Sequence, residues 1–177
     1  MKKISLLFRN KVVIYLTPLV LLCLAGCYHV GSIAHPELES VAIAPVVNET
    51  AAYNVSAQMR QLLCEQFMTD GSLQLKDLDT ADCIVNARIV SVQFREISDD
   101  SNDDNVVFLP SEWTVQIHVE FSVIIPGKAT PLVSQRKVTG TTDFQVQADL
   151  ETNRERAIQQ AARDAAQQIV TYTTEAW

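Results

Sequence analysis

Glycine and histidine are both scarce in this sequence of 177 residues. It contains five glycines and three histidines, with no glycine-rich phosphate-binding loop and no nucleophile-elbow motif. The histidines His29, His35 and His118 have no cysteine or histidine partner at the spacing of a zinc site. We therefore expect no catalytic site, no bound metal and no cofactor, and an enzyme is the least favoured class of protein.

Basic residues are also in short supply once the start of the chain is set aside. Residues 1–26 carry four of the fourteen basic residues and no acidic one. The remainder has ten basic against 21 acidic residues, a net charge of −11. A nucleic-acid-binding domain needs a basic face, so nucleic acid is excluded as a partner. Broad, charge-driven binding to anionic lipid is disfavoured for the same reason.

Long apolar runs are missing except for one near the start of the chain. Four cations within residues 2–11 precede an apolar stretch over residues 12–24, which is short for a membrane-spanning helix and contains Pro18. The stretch ends in Leu24-Ala25-Gly26-Cys27. A charged region, an apolar region and small residues before a cleavage site are typical of a secretory signal peptide.

The cysteine after the small residues makes this segment resemble the lipobox of bacterial lipoproteins. That resemblance implies a lipoprotein signal peptide at residues 1–26 and lipid attachment at Cys27, through S-diacylglycerol and N-acylation. Tyr28 stands where inner-membrane lipoproteins carry Asp, so the outer membrane is the expected location. The alternatives are an ordinary signal peptide and an uncleaved N-terminal anchor.

The remaining 151 residues suit one domain with a hydrophobic core. We expect a lipidated tether at residues 27–40 and a single α/β sandwich domain at residues 41–177. Cys64 and Cys83 remain as a candidate disulfide in an oxidising compartment. The sequence leaves open whether they are bridged or are two independent thiols.

The first half of the domain predicts a strand, a helix and a short strand. Residues 41–44 read as a buried strand, and residues 46–53 as a loop. Apolar residues repeat at helical spacing from Asn54, a candidate N-cap, to about residue 69, and Gly71 follows. Residues 72–76 alternate and predict a short edge strand.

Three long strands are predicted next, over residues 83–97, 112–125 and 132–144. The phase of the first changes near residues 88–90, which indicates a β-bulge or a strong twist. The second alternates most regularly, and its polar side is formed by Thr114, Gln116, His118 and Glu120. Residues 99–105 are wholly polar and predict an acidic hairpin tip.

An alanine-rich helix is predicted over about residues 153–173, with Thr152 and Glu155 as a capping box. The fold class expected is therefore α+β, in the order β-α-(β)-β-β-β-α. Two amphipathic helices would pack on one face of a mainly antiparallel sheet of four to five strands. The other face of the sheet would be polar and open to a partner.

Several short motifs follow the lipobox in a fixed order. They are Cys27-Tyr28-His29-Val30-Gly31, residues 35–45 with Asn48-Glu49-Thr50, Ala81-Asp82-Cys83-Ile84-Val85, and Arg154-Glu155-Arg156-Ala157 with Ile169-Val170. In this order the chain resembles the lipopolysaccharide-assembly lipoprotein family, whose LptE-like members are plug lipoproteins of the outer membrane.

The resemblance implies a function and a set of partners. Members sit as a plug and assembly scaffold inside the outer-membrane β-barrel protein that inserts lipopolysaccharide, anchored by lipid and facing the periplasm. For contact with lipopolysaccharide, the strand-borne cations are Arg88, Arg95, Arg136 and Lys137. The alternative is an anchored periplasmic lipoprotein that binds a soluble ligand or envelope polymer without a barrel partner.

Overall fold

The computed structural model describes residues 37–97, 112–145 and 150–175. The predicted acidic hairpin tip, Cys27 and most of the predicted tether lie outside these residues. In chain order the elements are β1 (Ser40–Ile43), β2 (Val47–Asn48), α1 (Val55–Asp70), β3 (Gln74–Leu75), β4 (Cys83–Ile97), β5 (Glu112–Ile124), β6 (Val133–Gln145) and α2 (Leu150–Thr174).

The six strands form one mixed sheet in the order β3-β1-β4-β5-β6, with β2 also paired to β4. The three long strands are antiparallel neighbours, as predicted. The pairs β1–β3, β1–β4 and β2–β4 are parallel. The predicted class α+β is confirmed, but the sheet has six strands and is mixed rather than mainly antiparallel with four to five. The strand β2 lies in a segment that was predicted to be a loop.

Helix α1 follows the predicted apolar stripe, and its buried residues are Val55, Met59, Leu62, Leu63 and Phe67. It ends at Gly71, whose φ of 73° is in the left-handed region and whose N–H donates to Phe67 O. Asn54 precedes the helix but has a φ of 59°, and its side chain makes no cap hydrogen bond. Asn54 therefore occupies the predicted N-cap position, but its side chain does not cap the helix.

Helix α2 begins at Leu150, three residues before the predicted start. Thr152 and Glu155 therefore lie inside the helix, and the predicted capping box is wrong. Its buried face is almost wholly alanine and β-branched: Ala157, Ala161, Ala162, Ala165, Ala166, Ile169 and Val170. These small side chains let the helix pack closely on β5, β6 and α1. None of the helices in the described part of the chain is long and apolar enough to cross a membrane.

The core lies between the two helices and one face of the sheet. The strand β5 contributes the predicted apolar side, with Val115, Ile117, Val119, Phe121 and Val123 all buried. The register of β4 against β5 shifts between Ile89 and Ser91, which is the predicted bulge. The side chains on the opposite side of β5 are partly exposed. The polar face of the sheet is therefore the candidate functional surface.

Candidate functional site

The polar face is built from the alternate residues of β5 and their neighbours on β4 and β6. Glu120 lies opposite Arg88 on β4 and opposite Lys137 on β6. Side chains on directly paired residues of adjacent strands point to the same face, so the sheet register brings these three charges together. We name them, with Glu49 and Gln135, the Glu120 cluster.

Glu120 is the centre of this cluster. Its carboxylate accepts from Arg88 Nη2, from Gln135 Nε2 at 2.8 Å and from Lys137 Nζ at 3.0 Å. Its side chain is only 12% exposed, whereas that of Lys137 is 80% exposed. The cations thus cover the carboxylate, and Lys137 itself remains largely exposed.

A structured turn brings a second acid to Arg88. Glu49 Oε1 accepts from Arg88 Nη1 at 3.2 Å. The turn is closed by Asn48, whose Oδ1 accepts from the N–H and the hydroxyl of Thr50 at 3.0 and 2.7 Å. The motif Asn48-Glu49-Thr50 therefore has a physical role, because the flanking side chains fix the backbone that presents Glu49 to Arg88.

These contacts shift the pKa values of Glu120 and Arg88 in opposite directions. The hydrogen bond from Arg88, followed by those from Lys137 and Gln135, lowers the pKa of Glu120 to about 2. The same hydrogen bond and the charge of Glu49 raise the pKa of Arg88. Glu120 therefore stays ionised throughout the physiological range.

The rest of the polar face consists of cross-strand hydrogen bonds between β5 and β6. His118 Nδ1 lies 2.9 Å from Thr139 Oγ1, and the Thr114 hydroxyl donates to Asp143 Oδ1 at 2.6 Å. Each pair follows the strand register. Within the described residues, no group of three or more His, Cys, Asp or Glu is placed to hold a metal ion. The face is suited to binding a polar surface through hydrogen bonds.

The structure separates the four cations proposed from the sequence for lipopolysaccharide contact. Arg88 and Lys137 meet at Glu120, and Arg95 lies farther along the same face, opposite Thr114. Arg136 lies opposite Phe121 on the helix-covered side of the sheet, where its guanidinium sits 4.7 Å from the ring centre of Tyr172. The four therefore do not form one patch.

The two cysteines of the domain are free thiols. Cys83 is fully buried at the start of β4, and burial followed by the charge of Asp82 raises the pKa of its thiol to about 11. Cys64 lies on α1 and is partly exposed. Both cysteines are therefore free in the structure, and the bridge between them stays a prediction.

The sequence missed the role of Glu120, although it placed this residue on the polar face. Knowledge of the residue pairing of β5 with β4 and β6 would have shown this role, because Arg88 and Lys137 both pair with Glu120. That pairing could not be fixed beforehand, since the β4 bulge and a second register shift between Phe121 and Val123 displace the strands.

We predict that Glu120→Gln reduces the acid sensitivity of folding. A carboxylate with a lowered folded pKa adds stability that is present above the unfolded value, near 4.5, and is lost as the pH falls towards about 2. The variant should therefore be less stable at pH 7 and should take up about one proton fewer on unfolding across that window.

Urea unfolding at a series of pH values measures this difference, with Glu112→Gln at the exposed end of the same strand as the matched control. If Glu120→Gln and Glu112→Gln have the same pH dependence, the cluster does not hold the carboxylate as described.

The family model described as LptE, lipopolysaccharide-assembly, matches residues 38–173. No curated protein gives a significant match to the chain.

Several solved structures share the fold. A minor lipoprotein from Acinetobacter baumannii superposes with a TM-score of 0.51 at 13% identity, covering 78% of this chain and 94% of the other. A hypothetical protein from Chlamydia trachomatis gives 0.53 at 13% identity, covering 77% and 98%. A PelC dodecamer from Paraburkholderia phytofirmans gives 0.51 at 10% identity, covering 84% and 96%. At these identities the likeness extends to the fold alone.

Proposed function

The chain belongs to the LptE family of lipopolysaccharide-assembly proteins, and we propose that it acts as plug and assembly scaffold for the barrel protein that inserts lipopolysaccharide into the outer membrane. The observation that carries this proposal is the extent of the family match. Residues 38–173 include every strand and all of α2 except its last residue. The family is one of non-enzymatic lipoproteins, and we propose the same non-catalytic role for this chain.

The proposed mechanism is rigid occupancy of the barrel lumen with the polar face of the sheet against the wall. The interior of a membrane β-barrel is polar, so its wall offers hydrogen-bonding groups. The polar face presents matching groups on β5, and the Glu120 cluster balances two cations with two acids. Contact with the wall then requires no large charge to be stripped of water, which keeps the cost of docking low.

The proposed anchor is the lipid on Cys27. Cleavage after residue 26 and acylation of Cys27 would leave the tether of residues 27–40 between the outer membrane and the folded domain. Two or more acyl chains give stable membrane attachment, whereas one chain is marginal. Intact-mass measurement of the protein purified from membranes should find a chain that starts at Cys27 and carries three acyl groups.

Site-specific photo-crosslinking tests the proposed contact. A photo-reactive residue at position 116 replaces Gln116 in the middle of the polar face, and one at position 159 replaces the exposed Gln159 of α2 as the matched control. We expect position 116 to give a crosslink to one large β-barrel protein in intact cells and position 159 to give little. Depletion of the protein should also lower the heat-modifiable, assembled fraction of that barrel.

Two outcomes would contradict the proposal. Normal maturation of the barrel in depleted cells would exclude the scaffold role. Purification as a monomer together with a small molecule, and without crosslinks from the polar face, would favour the alternative of a lipoprotein that binds a soluble ligand.

We further propose that direct contact with lipopolysaccharide uses the cations of the polar face. Lys137→Glu should weaken binding of purified lipopolysaccharide about fivefold, because one exposed charge contact contributes about 1 kcal/mol. Arg136→Glu is the matched control, since it reverses the neighbouring charge on the opposite side of β6. Equal losses of affinity in a binding titration of the two variants would remove the polar face as the contact surface.

A further inference from the structure

Among the strands of the described residues, β6 is the last of the sheet on one side, and it is 13 residues long. An edge strand presents backbone N–H and C=O groups that point away from the sheet and can pair with a strand of another chain. Successive residues of β6 direct their backbone groups alternately towards β5 and away from it. The groups of Gly140 face β5, whereas the Thr139 C=O and the Thr141 N–H point outwards.

Two side chains of α2 bind the outward groups at the middle of this edge. The Thr141 N–H donates to Asp164 Oδ2 at 2.9 Å, and Gln168 Nε2 donates to Thr139 O at 3.0 Å. Asp164 and Gln168 are four residues apart, so they lie on the same side of the helix. The helix thus supplies one acceptor and one donor where an added strand would place its own.

The close approach of α2 to β6 makes these two contacts reachable. A Cβ on Gly140 would lie 1.9 Å from Ala161 O and 2.9 Å from Ala165 Cβ. Gly140 is buried between Thr139 and Thr141. The helix therefore rests directly on the backbone of β6 at the point where its outward groups are bound.

The sequence of β6 is suited to pairing with itself. In an antiparallel pair of two β6 strands centred on Gly140, Thr139 of one copy faces Thr141 of the other. In the same register Lys137 of one copy faces Asp143 of the other, and opposite charges across a strand pair are favourable. The occupant that this edge fits is therefore a second copy of the chain.

We propose that Asp164 and Gln168 hold the edge of β6 closed against antiparallel strand addition by a second copy of this chain. The contact is a device against self-association, and it does not depend on the function proposed above. Natural proteins shield long edge strands in comparable ways, by covering the edge or placing charges along it.

The double variant Asp164→Ala/Gln168→Ala of the full chain, purified in detergent, tests the proposal. Glu155→Ala/Gln167→Ala is the matched control, because it removes the same kinds of group from exposed positions of the same helix. Sedimentation velocity over a wide range of concentrations should find dimers of the double variant where the wild type and the control are monomers. An unchanged mass of the double variant at every concentration would overturn the proposal.

A third substitution identifies the surface that associates. Adding Thr141→Pro to the double variant removes the outward N–H of residue 141, and an edge strand tolerates proline at such a position. We expect this triple variant to return to the monomer. Dimers that persist in the triple variant would show that another surface associates, and the proposal would be wrong.

Hydrogen exchange of the wild-type protein tests the same contact without any substitution. The amide of Thr141 should exchange at least tenfold more slowly than its rate in an unstructured peptide, because Asp164 accepts its hydrogen. Exchange at the unstructured rate would mean that the edge is open in the native protein and would equally overturn the proposal.

Discussion

Gly140→Ala should lower the free energy of unfolding by about 3 kcal/mol, the upper part of the range measured for overpacked cores. The added Cβ would lie 1.9 Å from Ala161 O and 2.7 Å from Ala165 N, which are both backbone atoms. A flexible side chain could turn away, but a helix backbone moves only as a unit. Relief therefore requires α2 to shift away from β6, which loosens the buried alanine face along the helix.

Gly71→Ala is the comparison that separates packing from backbone conformation. Nothing lies within 4 Å of a Cβ built at Gly71, so only its φ of 73° opposes the substitution. That conformation costs a residue with a side chain about 1 kcal/mol. Urea unfolding of the two purified full-length variants measures the difference, and a cost for Gly140→Ala no greater than for Gly71→Ala would show that α2 does not rest on β6 as described.

The many alanines of α2 are typical of a helix that packs closely, but they do not identify the surface on which it packs. Gly140 carried a usable signal, because a glycine inside a strand often marks the close approach of another backbone. The residues around it are mainly polar, which is typical of a strand with one face in water rather than of a strand covered by a helix. The correct pairing needs the position of α2 over the sheet, which a strand pattern does not contain.

The elements that were predicted well are those in which one periodicity decides burial. The alternation of β5 placed its five buried residues from Val115 to Val123 on one side. The change of phase near Arg88 in β4 predicted the bulge, and it is present. In both cases each side chain is either buried or exposed by its own position in the strand.

The parallel part of the sheet could not be predicted in this way. The strands β1, β2 and β3 are two to four residues long, and all four residues of β1 are buried. A strand this short does not contain enough residues to show alternation. Its direction in the sheet depends on the connection to the next strand, such as the helix between β1 and β3. The prediction of a mainly antiparallel sheet holds for the three long strands and does not extend to these short ones, because local pattern carries no information about connections.

Strand alternation also separates the neighbouring cations Arg136 and Lys137. Both were predicted, with Arg88 and Arg95, to contact lipopolysaccharide because they are cations borne on strands. Successive side chains on a strand point to opposite faces, so the two could not share a surface once β6 was assigned as a strand. The positions of Arg88 and Lys137 beside Glu120 needed the strand register as well.

Asp82→Ala should lower the free energy of unfolding by about 3 kcal/mol, because it leaves buried hydrogen-bond donors without an acceptor. Asp82 Oδ2 accepts from the Ser40 N–H at 2.9 Å, the Ser40 hydroxyl at 2.6 Å and the Glu39 N–H at 3.2 Å. Ser40 is fully buried. The connection from β3 to β4 crosses from one side of β1 to the other, and these bonds fasten it to the start of β1.

We call the hydrogen bonds from Glu39 and Ser40 to Asp82 the Asp82 clamp, and its contribution to stability decreases in acid. Hydrogen bonds from Ser40 and then Glu39 lower the pKa of Asp82 below 3.8. The clamp therefore adds stability at neutral pH that is lost as the pH falls below the usual range of an aspartic acid. Urea unfolding of Asp82→Ala at pH 7 and at acid pH should find that its deficit relative to the wild type shrinks on acidification.

The exposed Asp79→Ala in the same connection is the control for Asp82→Ala, and it should change stability by less than about 0.5 kcal/mol. Ser40→Ala and the double variant complete a thermodynamic cycle, in which a direct contact makes the two effects less than additive. Additive effects would mean that Asp82 stabilises the fold independently of Ser40. The two residues would then not form the clamp that joins the parallel strands to the antiparallel ones.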